Sequence, residues 1–333
     1  MAQQGTVSVV IPTYNRRDLV VQAVKSALAQ SYEDLSCVVV DNGSTDGTRE
    51  ELSALGDSRV KILSEGRPLG GAGARNVGIA ASRQARWVAF LDSDDLWAPD
   101  KLERQLAALE ASPQALWSTT ACVDIGPDLN VRNALRLTSG RAVGDKILGA
   151  MEVLDLLKED NRLPAGNSTV LASRELLDNA GGYDAALATC DDWDLWLRLA
   201  RRSPLAYLDH PLAAYRIWDG QSSSDEKAFA RDAATVRARN FPGGGELPQG
   251  YVARWAREAG RRHVAAGRKG AAARSYLRAA WTGRAPGQLA YATGVLVAPG
   301  LVERRLRTIE RDDRLPSGWE ELVEPWLSRW RQD

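Results

Sequence analysis

Four short segments of the chain combine residue types that can do chemistry. Asp92-Ser93-Asp94-Asp95 places carboxylates at positions i and i+2. In extended backbone those two side chains point the same way and can converge on one hard cation, which in turn clamps a diphosphate. A solvated acidic turn has the same residue pattern, but here the carboxylates directly follow the apolar run Val88-Ala89-Phe90-Leu91. Asp41 follows a second apolar run, Leu35 to Val40. A carboxylate there can accept from a base N–H or a ribose hydroxyl, and an Asx turn over Asp41-Asn42-Gly43 accounts for it equally well. Gly70-Gly71-Ala72-Gly73-Ala74-Arg75-Asn76 sets glycines ahead of a helix that contains a cation, so backbone N–H groups and Arg75 can meet a phosphate. It is not the dinucleotide fingerprint, because Asn76 stands at the third glycine position, and the chain has no Walker A segment. Last, Asp191-Asp192-Trp193-Asp194 opens a helical pattern. Acidic residues in a first turn complement the helix dipole, and one within reach of a hydroxyl can serve as a general base.

The elements that must hold these segments follow from periodicity. Val7 to Ile11, Leu35 to Val40, Val60 to Leu63 and Trp87 to Leu91 read as strands, the first stopped by Pro12. Asp18 to Gln30, Thr45 to Leu55 and Ala72 to Ser82 carry helical spacing between them. Strands alternating with helices predict an α/β fold with a largely parallel sheet, whose ligands gather beyond the carboxyl ends of the strands. Thr13-Tyr14-Asn15, Asp41-Asn42 and Asp92 to Asp95 all fall there. The middle, Ser112 to Arg216, is less regular, with strands predicted at Trp117 to Val123 and Thr169 to Ala172 and a helix at Asp191 to Arg201. Pro242-Gly243-Gly244-Gly245 reads as a linker. The expected division is therefore a catalytic domain over 1–241, with a nucleotide half at about 1–110 and an acceptor half at about 111–241, and a helical C-terminal region over 246–333.

Composition narrows the function. Lys plus Arg and Asp plus Glu are both 43, for a net charge of zero across 333 residues, which argues against a general nucleic-acid binder. Three cysteines and two histidines rule out a disulfide framework and a His-rich metal centre. A metal here has to be held by carboxylates, hence Mg²⁺ or Mn²⁺. Met1 to Val7 has no apolar signal core, and the longest apolar stretch, Leu289 to Val302, is too short to span a bilayer. The expectation is a cytoplasmic protein, soluble or peripheral to the inner membrane face.

Taken together these residues resemble the family 2 glycosyltransferases of the GT-A fold. The matching segments are Val9-Val10-Ile11-Pro12-Thr13-Tyr14-Asn15, Val40 to Thr48, Ala74-Arg75-Asn76-Val77-Gly78-Ile79, Phe90 to Trp97, Gly181-Gly182-Tyr183-Asp184 and Asp191 to Leu199. They fall in the family's order across roughly residues 7 to 220. A helical C-terminal appendage is expected separately, from the Ala and Arg at helical spacing over Tyr251 to Gly283. The resemblance itself implies an inverting transferase using a nucleotide-activated sugar. It implies that Asp41 holds a uracil-like base, with Pro12, Thr13, Tyr14 and Asn15 packing around the nucleoside. Asp92 and Ser93 would face the ribose and the metal side, Asp94 with Asp92 would ligate Mg²⁺ or Mn²⁺, and Arg75 would lie near the phosphates. Asp192 matches the catalytic base and Asp191 its acidic neighbour, with Trp193 and Trp218 as candidate sugar or acceptor contacts. The partners implied are a nucleotide-sugar and a hydroxyl acceptor (glycan, lipid-linked sugar or small molecule), with no nucleic acid and with a homodimer as a candidate assembly.

The chain departs from the family pattern twice. Asp191 stands where a Glu is common. Trp218 stands where many members carry a His after Tyr215-Arg216-Ile217, which removes a third metal ligand; His210 is too early to replace it. The rival readings are a nucleotidyltransferase and a catalytically idle sugar-nucleotide-binding protein. Arg outnumbers Lys by 36 to 7, a composition of GC-rich bacterial genomes, which suggests a cell-envelope glycan or a secondary metabolite as product. Leu289 to Val302 with Arg304, Arg305 and Arg307 has the makings of a lipid contact. The expectation is instead that the tail packs on the core or on a second subunit, its arginines solvated or paired with Glu303, Glu310 and Asp312, with Trp319, Trp326 and Trp330 as docking anchors.

Overall fold

The computed structural model describes residues 6–65, 67–137, 144–158, 160–218, 226–243, 247, 249–265, 267–302, 304–305 and 315–331. The chain divides into two compact units, one of residues 1–157, 161–217 and 315–333, the other of 158–160 and 218–314.

The first unit is a mixed sheet flanked by helices. Its N-terminal half runs β1 (Val7–Thr13), α1 (Arg17–Leu28), β2 (Leu35–Asp41), α2 (Thr48–Ala54), β3 (Val60–Ser64), α3 (Gly70–Ala81) and β4 (Trp87–Phe90). It continues through β5 (Leu96–Trp97), α4 (Lys101–Ala111), β6 (Trp117–Ile125), β7 (Val131–Leu135), β8 (Lys146–Leu148) and α5 (Ala150–Leu156). A 3₁₀ turn (Gly166–Thr169), β9 (Leu171–Ser173), α6 (Arg174–Ala180), α7 (Asp191–Ala200) and β10 (Leu205–Arg216) complete it. The sheet order is β3-β2-β1-β4-β9-β6-β10-β5, with β7 beside β6 and β8 beside β10. β3, β2, β1 and β4 are parallel, and β9 runs antiparallel between β4 and β6. The order reverses at β1, since β2 and β3 lie to one side of it and β4 to the other. In open α/β sheets such a switch point opens the crevice that takes a ligand.

The core explains this packing. Val7, Val9 and Ile11 of β1 and Cys37 and Val39 of β2 are fully buried against Val20, Ala23, Val24 and Ala27 of α1. On the other face Val38, Val40 and Ala74 pack together. α3 approaches β1 so closely that a Cβ at Gly78 would collide with the Val10 side chain. Only glycine permits that approach, and it fixes where Arg75, one turn earlier, emerges.

The sequence reading needs correction at Pro12. β1 runs through it to Thr13. The register with β4 ends at Val10 while that with β2 continues to Thr13↔Asp41. Pro12 therefore lies beyond the last partner on one side, where a missing N–H disrupts no ladder.

The second unit contains α8 (Glu226–Asn240), α9 (Gln249–Ala265), α10 (Lys269–Thr282) and α11 (Gly287–Val297). Val264, Ala272, Tyr276, Ala292, Val295 and Val302 form its buried cluster. The passage from the first unit to the second falls at Ile217 and Trp218, ahead of the glycine-rich stretch; Gly244 and Gly245 lie outside the described residues.

After the second unit the chain rejoins the first as α12 (Trp319–Leu327). Trp319 and Trp326 are buried, the Arg136 guanidinium sits 4.5 Å over the Trp319 ring, and Trp330 is half-buried. The tryptophans of the tail are thus docking residues, as expected. The apolar stretch before them behaves differently: Leu289, Leu296, Val297 and Leu301 are exposed. α11 carries no charge, and of its residues only Ala292 and Val295 are buried, against α10 and Val302. Arg307, Glu303, Glu310 and Asp312 lie outside the described residues. Among the described residues no helix is long and apolar enough to cross a membrane.

Candidate active site

The crevice at the carboxyl ends of β1, β2 and β4 gathers most of the residues singled out by the sequence. Thr13 and Asp41 are register partners at the ends of β1 and β2. Asp41 Oδ1 accepts from the Ser44 N–H at 3.0 Å, so the Asx turn is real. Its other oxygen, Oδ2, is buried without a hydrogen-bond partner, and so is the neighbouring Thr13 Oγ1. These two polar atoms, buried at paired strand ends and each without a hydrogen-bond partner, are what polar groups of a ligand would satisfy.

Asn15, in a left-handed conformation (φ 48°), latches the β1 and β2 loops together. Its N–H donates to Ser44 Oγ and its Oδ1 accepts from the Thr45 N–H. Its side chain is thereby committed to positioning, whereas Tyr14 beside it is 54 % exposed. Pro12 is half-buried at the rim.

The acidic run after β4 divides its labour. Asp95 is fully buried, accepting from Ser168 Oγ and the Arg216 N–H. Burial, with Asp94 and Asp92 nearby, pushes its carboxyl well above the usual range. It anchors the loop. Asp92 Oδ1 pairs with Arg75 Nη2 at 2.5 Å, and Asp94 Oδ2 pairs with Arg16 Nη1 at 3.1 Å. Arg16 also donates to Ser93 Oγ at 3.3 Å. Each carboxylate of the i, i+2 pair thus holds an arginine.

Arg75 links the two acidic clusters. It is buried (8 % exposed), and its Nη1 reaches Asp191 Oδ2 at 3.1 Å. Burial alone would lower its pKa, but Asp92 and Asp191 outweigh that and raise it. Neighbouring Asn76 clamps the turn before α7, giving Nδ2–H to Tyr183 O and taking the Tyr183 N–H, both at 2.8 Å.

Asp192 sits in the first turn of α7 and receives a hydrogen bond from Asn161 Nδ2 at 2.8 Å. Burial first, and then the charge of Asp191, raise its pKa to about 7. Asp191 is raised as well, by burial, with Arg75 pulling against it. Asp194 is committed to structure: it accepts from Arg198 at 2.7 Å, whose Nη1 caps the carbonyls of Ala180 and Gly182.

The expected sugar contact Trp193 is corrected by its surroundings. It is 1 % exposed, and its Nε1–H donates to Leu157 O at 2.8 Å. It packs α7 onto the fold. Trp218 is half-buried and opens the second unit.

Arg16, Asn161, Gly166 and Ser168 also belong to this site, and sequence reasoning did not single them out. Arg16 carried one signal, a cation directly after a segment expected to pack around a nucleoside. The other three lie on an irregular stretch with no periodicity to read.

For a divalent cation the donor set is of the right kind but incomplete. Asp92 and Asp94 are hard oxygen ligands, yet both are engaged by arginines. Among the described residues no group of three His, Cys, Asp or Glu side chains could hold a metal. A cation would need Asp94 released from Arg16 and most of its ligands from diphosphate and water.

Comparison with known proteins agrees with this geometry. The family model described as glycosyl transferase family 2 matches residues 8–149. The putative teichuronic acid biosynthesis glycosyltransferase TuaG of Bacillus subtilis is 33 % identical over 228 residues, 68 % of this chain and 84 % of that one. Among solved structures, Staphylococcus aureus TarS 1-349 in complex with UDP-GlcNAc aligns with a TM-score of 0.57 at 18 % identity, covering 98 % of this chain and 92 % of its own. The mannosyltransferase PcManGT of Pyrobaculum calidifontis, in complex with GDP-Man and Mn²⁺, aligns with a TM-score of 0.52 at 20 % identity over 93 % of this chain and 85 % of its own. The fold is GT-A.

Proposed function

Starting from the fact that the chain belongs to glycosyl transferase family 2, we propose that it moves a sugar from a UDP-sugar to a hydroxyl of a cell-envelope glycan, with inversion at the anomeric carbon. The nucleotide-sugar class is supported by neighbours of the same fold solved with UDP-GlcNAc and GDP-Man. The product class is supported by the teichuronic acid relative. Uracil is favoured because Asp41 Oδ2 is a buried acceptor without a partner, suited to an imide N–H, with the unpartnered Thr13 hydroxyl on the neighbouring strand end able to give or take a further hydrogen bond.

In this reading Asp192 accepts the proton of the acceptor hydroxyl. The freed oxygen attacks the anomeric carbon from the face opposite the diphosphate, a C–O bond forms, and the bond to the diphosphate oxygen breaks with the electron pair leaving on the nucleoside diphosphate. Arg75 and Arg16 stand where cationic side chains offset the growing negative charge. A divalent cation, when bound through Asp94 and Asp92, supplies further charge neutralisation there. Asn161 and Gly166 fix the Asp192 carboxylate in one orientation.

The observation that carries the reading is Asp192 itself. A half-buried carboxylate, held by Asn161 and with its pKa raised to about 7, is matched to proton abstraction near neutral pH. It is linked through Asp191 and Arg75 to the acidic run after β4. A binding-only protein gains nothing from holding that carboxylate at such a cost.

The test is release of nucleoside diphosphate from a panel of sugar nucleotides with Mn²⁺, comparing wild type with Asp192→Asn. Donor binding should persist in the variant while transfer falls by at least ~10²-fold. Equal loss of donor affinity would make Asp192 structural, and pyrophosphate release in a parallel incubation with a nucleoside triphosphate and a sugar phosphate would indicate nucleotidyl transfer.

A further inference from the structure

We infer that the outer face of the α10–α11 pair is a docking surface for an anionic lipid bilayer. α11 carries no charged side chain. A predominantly apolar helix is ordinarily covered along most of its surface, yet this one buries only Ala292 and Val295. Ala292 and Val295 face Ala272 and Tyr276 of α10 in the buried cluster. Leu289, Leu296 and Val297, spaced i, i+7 and i+8, lie in solvent beside that buried strip, and Leu301 beyond the helix is exposed too. On α10, Leu277 and Trp281 form an exposed i, i+4 pair. Trp281 is 88 % exposed and Val297 85 % exposed. So open a tryptophan on an ordered helix is unusual for a soluble surface, whereas indole is the preferred side chain of the membrane interface.

Charge selects the occupant. From Ala259 to Val302 the chain contains no Asp or Glu but seven Arg and Lys residues, although the protein as a whole has zero net charge. Lys269, Arg274, Arg278 and Arg284 are exposed on or beside the two helices. Apolar anchors bordered by cations, with no acid among them, match an anionic headgroup layer. A second copy of the chain fits badly, because face-to-face pairing would bring two strongly basic surfaces together.

This inference rests on the second unit alone and stands apart from the transferase reading. The test is co-sedimentation of the full-length protein with vesicles of phosphatidylglycerol and phosphatidylcholine, against phosphatidylcholine alone. Binding should require the anionic lipid and fall steeply with added salt. A Trp281→Ser/Val297→Asp variant, altered only at solvent-facing positions, should bind at least ~10-fold more weakly while its release of nucleoside diphosphate without vesicles is unchanged. No binding to anionic vesicles, or binding undiminished in the variant, overturns the inference. So does light scattering that finds a dimer which those substitutions dissociate.

Discussion

Gly166 lies directly beneath the carboxylate of Asp192: a Cβ on Gly166 would fall 2.6 Å from Asp192 Oδ2. The glycine also has φ +50°, a region costing an L side chain about 1–2 kcal/mol. Shape and backbone thus both reserve this position for the carboxylate.

Gly166→Ala should therefore lower transfer by at least ~10-fold, a displacement near 1 Å being enough for losses of that order. Donor affinity, measured by titration calorimetry, should stay near wild type. Unchanged turnover would mean that Asp192 is free to move without penalty.

Activity should rise with pH along a limb centred near the Asp192 pKa of about 7, because only the carboxylate accepts a proton. Asp191 is a principal cause of that elevation, after burial. Asp191→Asn should move the limb to lower pH. A pH profile of kcat/KM for both proteins checks this, and an unmoved limb would assign it to another group.

The same elevated pKa has a stability consequence of defined sign. Because the fold favours protonated Asp192, its contribution is fully present below the unfolded value of 3.8 and is lost as pH rises through about 7. Asp192→Asn should accordingly raise the melting temperature at about pH 8 and lose most of that advantage by about pH 5. Scanning calorimetry at the two pH values decides it, and a variant less stable than wild type at high pH would contradict the burial argument.

Asp41→Asn keeps an oxygen for the Ser44 N–H but can turn an amide toward the ligand in place of the unpartnered Oδ2. Loss of a charged hydrogen bond, about 1.5–3 kcal/mol, corresponds to a donor KM raised by roughly 10–100-fold, with kcat less affected. A kcat loss at constant KM would remove Asp41 from the nucleoside site.

On the proposed reading, a cation bound through Asp94 would have to displace Arg16. The ion pair is largely shielded, at 20 % and 7 % side-chain exposure, and worth about 1 kcal/mol. Arg16→Gln should then lower the half-saturating Mn²⁺ concentration for turnover by roughly fivefold. A large rise in donor KM instead would make Arg16 a direct diphosphate contact, and Asp94→Ala should abolish any metal response.

Much of this site was legible because it sits at strand ends, and strand ends are written in apolar runs. Val88 to Leu91 announces where Asp92 emerges, and Leu35 to Val40 does the same for Asp41. Pro12 misled because its cost depends on which neighbour its nitrogen faces, a property of register. Trp193 misled because an aromatic beside acidic residues looks like a sugar platform; the carbonyl of Leu157, 36 residues away, claims its N–H. Asn161, Gly166 and Ser168 lie on a stretch held by individual hydrogen bonds, which leaves no period to detect. The exposure of Trp281 was hidden for a similar reason, since helical spacing says which residues share a face and not which face is covered.

The return of the C-terminal segment to the first unit has a consequence for biosynthesis. The catalytic unit is interrupted after Ile217 and resumes only at Leu315, with Trp319 and Trp326 completing its buried surface. On the ribosome, the intervening 97 residues, 218–314, occupy roughly 5–20 s of synthesis. During that interval the sheet stands assembled with the seat of α12 bare, and Arg136 lacks the ring it stacks on. Completion of this unit thus waits for synthesis of residues 315–331, and a nascent chain halted at residue 314 would carry every carboxylate of the candidate site and still present an open apolar wound to chaperones.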